Sequence, residues 1–144
     1  MPNPDYPEIC LKGIKAKDCI GDDGNIRAHL LHFEKGRTDT SWKQSINWQD
    51  DDQAIEFTLR QRRQDGSLLF KFGVAPLSRI EIDRINSRPF VNGALSYERE
   101  LLGDDNKYHG NLILEGRTTK LKMEAIAAIL VSAQEKVIPQ HLTE

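Results

Sequence analysis

Four residues of this 144-residue chain have side chains that suit a transition metal: Cys10, Cys19, His29 and His32. Two thiolates and two imidazoles are a chemically sound zinc set. Their gaps of eight, nine and two residues lack the close cysteine pair and the three-to-five histidine gap of zinc fingers. On a strand His29 and His32 point to opposite faces, and only a helix brings them together. The set is a weak alternative, and neither a metal nor any other cofactor is expected.

An anion has a better-formed candidate. Glu115-Gly116 leads into Arg117, Thr118, Thr119 and Lys120, at the expected start of a helix. Free N–H groups and the positive dipole end favour a phosphate or carboxylate there, and both basic side chains add charge. The segment lacks the two glycines that a phosphate-binding loop places ahead of its Lys-Ser/Thr pair.

Acid–base chemistry finds less. His109 stands beside Tyr108 and near Asp104 and Asp105, so a base oriented by a carboxylate is conceivable, but a solvent-facing turn explains it as well. Glu81 and Asp83 alternate as if on one strand face, with only Lys71 nearby. The acidic clusters Asp22-Asp23, Asp50-Asp51-Asp52 and Asp104-Asp105 lack the spaced pattern of a calcium loop and read as turns. No nucleophile elbow, zinc-protease helix or dinucleotide fingerprint occurs. The chain is expected not to be an enzyme.

Net charge is −2 with 20 basic and 22 acidic residues, which argues against nucleic-acid binding. The exception is the stretch from Arg60 to Arg88, where seven basic residues face three acidic ones, a surplus of four. Arg60, Arg62, Arg63 and Lys71 would carry such an interaction. Phe70 and Phe72 fall on the expected core face and are not free to stack on bases.

The elements that must position these residues read mostly as strands. Ile55, Phe57 and Leu59 alternate with polar residues, Gln64-Asp65-Gly66-Ser67 turns, and Leu68, Phe70, Phe72 and Val74 return until Pro76. Trp42, Ile46 and Trp48 share a second strand face. Ile80 and Ile82, then Leu95, Tyr97 and Leu101, and Asn111 to Leu114 continue the pattern, and Ile9 and Leu11 begin it. Residues 26–35 fit either a strand or a short helix capped by Asn25, with the strand slightly favoured. Thr118 or Thr119 caps a C-terminal helix whose stripe runs Met123, Ile126, Ala127, Leu130, Ala133 and Val137, stopped by Pro139.

The fold class is therefore α+β: an antiparallel meander of seven or eight strands with one long C-terminal helix packed on it. The alternative is an up-and-down β-barrel plus that helix. Length predicts one domain over 1–144, with loose tails at 1–7 and 140–144. No apolar run reaches membrane-spanning length and the N-terminus lacks a signal pattern, so the cytoplasm is the expected location. Ile129 and Val131 widen the apolar face of the helix.

The expected function is a non-catalytic interaction or accessory domain. It would work through a sheet edge or through Ile129 and Val131, with another protein or with itself as a homodimer. A small-ligand or anion-binding protein is the alternative, and weak nucleic-acid binding through Arg60–Arg88 a second.

Overall fold

The computed structural model describes residues 5–35, 41–100, 105–116 and 118–143. In chain order the strands are β1 (Ile9–Gly13), β2 (Glu34–Lys35), β3 (Trp42–Trp48), β4 (Val74–Ser78), β5 (Leu95–Arg99) and β6 (His109–Leu114). The α-helices are α1 (Ala54–Arg60), α2 (Arg79–Asn86) and α3 (Lys120–Leu130). Short 3-10 turns occupy Lys17–Cys19, Ala28–Leu31 and Val131–Ala133.

All six strands form one antiparallel sheet of order β4-β1-β3-β6-β5, with β2 also paired to β3. The α+β class, the antiparallel sheet and the C-terminal helix stand as expected. The strand count is lower, the sheet does not close into a barrel, and its order is not a meander. Among its pairs only β2–β3 and β5–β6 join consecutive strands.

Two expected strands are helices. The segment of Ile55, Phe57 and Leu59 is α1, which buries Ala54, Thr58 and Leu59 at helical spacing. Asp51 Oδ1 accepts from Gln53 N just before it, Thr58 Oγ1 bonds back to Ala54 O, and Glu56 pairs with Arg60 four residues on. The segment of Ile80 and Ile82 is α2. Ser78 caps it by accepting from Glu81 N at 3.2 Å, and Arg79, Ile82 and Ile85 turn inward.

The Asp65-Gly66 turn forms, with Gly66 at φ 87°, but its flanks share only the bridge Arg62–Leu68. Pro76, expected to stop a strand, lies inside β4 and pairs with Leu11. The strand tolerates it because the outer side of β4 carries only isolated bridges to the segment 134–138, with no continuous ladder that needs the missing N–H. Residues 26–35 become neither the favoured strand nor an α-helix but the 3-10 turn Ala28–Leu31 followed by β2. The stripe of α3 forms through Leu130. Val137 lies beyond, in an extended segment whose neighbours bridge to β4 at Val74–Ile138 and Leu77–Gln134. Leu101 and Asp104 lie outside the described residues.

The sheet has two covered faces. On one, Cys10, Ile46, Trp48, Leu112 and Leu114 pack against Ile82 and Ile85 of α2 and Ile126 and Leu130 of α3. On the other, Leu11 meets Ala54 and Tyr108, with Ile55 and Phe57 around them. Gly110 is required beneath Trp48: a Cβ there would lie 2.3 Å from the indole nitrogen that donates to Glu98 O.

Candidate functional site

Strands β1 and β2 share one edge of β3 without meeting. The first covers Asn47 and Trp48, the second Trp42 and Lys43, and among the described residues no strand lies beside Gln44, Ser45 and Ile46 on that edge. After Leu11, β1 leans away towards β4, to which it stays paired as far as Gly13–Val74. The result is a slit through the sheet, opening into a cleft of about 370 Å³.

Lys12 takes the place of the missing ladder. Its Nζ donates to Ser45 O at 3.1 Å, a single bond among the described residues for a group with three donors. Burial drives the Lys12 ammonium down from 10.5 to about 8, helped by the charge of Lys15. Lys15, His29 and His109 also line the cleft. His109 Nδ1 lies 2.9 Å from Glu100 O; since a carbonyl only accepts, Nδ1 is the donor there.

One wall is a buried amide cluster. Asn47 Nδ2 donates to Thr58 Oγ1 at 2.8 Å and to Gln61 Oε1 at 2.9 Å, and Asn47 Oδ1 accepts from Asn106 Nδ2 at 2.9 Å. Asn106 Oδ1 in turn accepts from Tyr108 N. Strand β3, helix α1 and the approach to β6 are thereby tied at one point. The amide nitrogen of Gln61 makes no bond to another described residue. Spare donors thus border the cleft from Lys12 and Gln61.

The residues predicted as sites are scattered. Cys19 and His29 come together, with Asp18, across two 3-10 turns. Cys10 is elsewhere, buried in the main core, where desolvation lifts its thiol to about 12. His32 turns to Glu34 at 3.5 Å. Both cysteines are free.

Arg117 lies outside the described residues. Thr119 Oγ1 caps α3 by accepting from Lys122 N, Thr118 Oγ1 bonds to Thr119 O, and Lys120 is exposed beside a second groove. In the basic stretch, Arg60 pairs with Glu56, Arg62 donates to Gly66 O, Arg79 is buried against Asp83, and Arg84 meets Glu81. Hydrogen bonds from Ser67, and behind them Arg63 and Lys71, hold the Asp65 carboxyl below its usual range. The acids inside the stretch are already counted in its surplus of four, so among these contacts only Glu56, from outside it, offsets a further charge, while Arg79 is buried within the fold.

Ile129 and Val131 are half-buried against the main core. The sheet edges are occupied too. The Asn86 side chain bonds both the N–H and the C=O of Leu95 on β5, and Tyr6 Oη donates to Tyr97 O. On β4, Glu135 N donates to Pro76 O at 2.8 Å. The second groove, about 630 Å³ and mostly apolar, lies between α3 and the turn Ala28–Leu31, lined by Phe33, Trp42, Met123 and Ala127.

Compared with family models, curated proteins and solved structures, the chain matches none. The site stands on its own geometry.

Sequence reasoning missed the slit and Lys12. A split sheet edge comes from which strands pair, and no local pattern encodes that. The amide cluster left a faint trace, since Asn47 and Asn106 sit where the pattern wants polar residues yet both are buried.

Proposed function

We propose that the chain binds a small anionic molecule in the cleft between β1 and β3. The observation that supports this reading is Lys12: a cationic side chain drawn into a slit of the sheet with two of its three donors unspent among the described residues. Lys15 adds positive charge, and the amide of Gln61 adds neutral donors at the wall. A cleft of about 370 Å³ lies at the small end of ligand pockets, so the occupant is the size of a small carboxylate or phosphomonoester. The same reading assigns the cleft a binding role and no catalytic step.

The test is thermal denaturation with a panel of small carboxylates and phosphomonoesters, at pH 7 with chelator present. A ligand at about 100 times its Kd adds about 2.7 kcal/mol of stability. At least one compound should raise the Tm beyond an ionic-strength control, and Lys12→Met should lose that response. A panel that moves both proteins equally defeats the reading.

The apolar groove on α3 favours a second reading, an interaction module whose partner is a second copy of this chain. Met123→Asp should then abolish self-association seen by sedimentation over a range of protein concentrations. A wild type that stays monomeric throughout counts against it.

A further inference from the structure

We propose that Asp18, Cys19 and His29 form a site for a divalent transition metal of the zinc class, on the wall of the cleft. One ligand atom from each of the three lies within 4.8 Å of the others, and His29 Nε2 is 3.7 Å from Asp18 Oδ1. Zinc bonds of 2.0–2.3 Å in a tetrahedron place ligand atoms about 3.3–3.7 Å apart. The Asp18–His29 separation already fits that spacing, and the exposed side chains of both residues have room to close the remainder towards Cys19.

The backbone holds the three in place before any metal arrives. Asp18 and Cys19 sit in the turn Lys17–Cys19, and the chain reverses over Gly21–Asn25, where Gly21 N donates to Asn25 O at 2.8 Å. The bridge Ile20–Ile26 and the bond Arg27 N to Cys19 O then return it alongside, so that Ala28–Leu31 presents His29. The ligands thus close a short, braced loop, and little chain entropy remains to be lost on binding.

Donor chemistry sets the metal class. A thiolate, an imidazole and a carboxylate suit zinc or cobalt, whereas calcium and magnesium demand oxygen ligands. Thiolate and carboxylate together balance the charge of a divalent ion. Three protein ligands leave a fourth position open, and Cys19 and His29 both line the cleft. The site does not depend on the anion proposed above.

The experiment uses tag-free full-length protein, reduced, stripped with chelator, and titrated with Co²⁺ alone. One equivalent should produce a thiolate-to-cobalt charge-transfer band and intense visible bands of tetrahedral cobalt, which Zn²⁺ then displaces. Cys19→Ser and His29→Ala should weaken binding by more than about 100-fold, beyond what loss of an outer-shell partner costs. His29 is half exposed, so its removal tests the site without emptying the core. Cys10→Ala and His32→Ala should leave the titration unchanged. Absence of a charge-transfer band, or a band that survives His29→Ala, or one that His32→Ala removes equally, overturns the site. Because the metal alone is the probe, an anion response in chelator with no cobalt spectrum would reject this site and leave the cleft reading standing.

Discussion

Lys12 is where the chemistry of single residues shows most clearly. Its ammonium is lowered to about 8 first by burial and then by Lys15, while Cys10, Glu34 and Cys19 pull the other way. In the unfolded chain it titrates near its ordinary 10.5, so between those values the unfolded state binds more protons than the folded one. Stability therefore rises with pH across that window as the desolvated charge is relieved. Anion binding runs oppositely: with chelator present, affinity should fall as pH passes about 8, and Lys12→Met should flatten both trends. Urea unfolding and ligand titration at pH 7 and pH 9.5 read the two signs separately. Asn47 makes a second test at this scale, because it serves Thr58, Gln61 and Asn106 at once. Asn47→Leu strands those groups and should cost roughly 2–3 kcal/mol, measured by the urea midpoint.

At the scale of elements, α2 shows both what the sequence held and how it was masked. Ser78 and Glu81 have the spacing of a helix start, and Arg79–Asp83 and Glu81–Arg84 are helical pairs. Ser78→Ala should lower stability by about 1 kcal/mol, whereas Ser78→Asp, which can also cap, should not. The same cap lost from a strand would cost nothing, so equal midpoints for all three proteins would argue against a working cap. The alternation of Ile80 and Ile82 hid this signal because two apolar residues satisfy either period. In α1 the triple Ile55, Phe57 and Leu59 did the same, while the inward Ala54 and Thr58 are small or polar and drew no attention. Longer patterns were legible. Strand β3, with two tryptophans and an isoleucine on one face, formed where its spacing put it, and α3, with an apolar stripe behind Thr119, formed as far as Leu130, short of the expected Val137. Of the candidate sites, Cys19 and His29 were legible as residue types. Asp18 and Lys12 were not, since the turns and the split edge that bring them into place have no local pattern.

At the scale of the whole molecule, the first described residues are drawn onto the sheet through a buried ion pair. Arg79 Nη1 meets Asp83 at 2.5 Å with both side chains at most 10% exposed, and its Nε donates to Pro7 O at 3.0 Å and Tyr6 O at 3.2 Å. Tyr97 Oη donates to Asp83 Oδ1 at 2.7 Å, and burial and that carboxylate push its phenol far up, keeping it a donor. The Tyr6 ring then packs at a tilt against Trp48 and Tyr97, with centroids 4.8 Å and 5.5 Å away. At the other end, Gln140 donates to Leu59 O and Phe70 O, fastening the last residues across α1. Of the segments expected as tails, the described residues Tyr6, Pro7 and Gln140 are thus tied to the body of the fold. Asp83→Ala leaves the Arg79 guanidinium buried without its counter-charge and should cost about 3–5 kcal/mol. Replacing both partners by apolar residues, Arg79→Met with Asp83→Leu, should recover much of that loss, because the desolvation penalty goes with the charges. Tryptophan fluorescence during urea unfolding follows the Tyr6–Pro7 segment directly through the Tyr6–Trp48 contact. If the double variant were no more stable than Asp83→Ala, that segment would be held by the geometry of the guanidinium fork on Tyr6, Pro7 and Asp83, and the charge of the fork would be incidental.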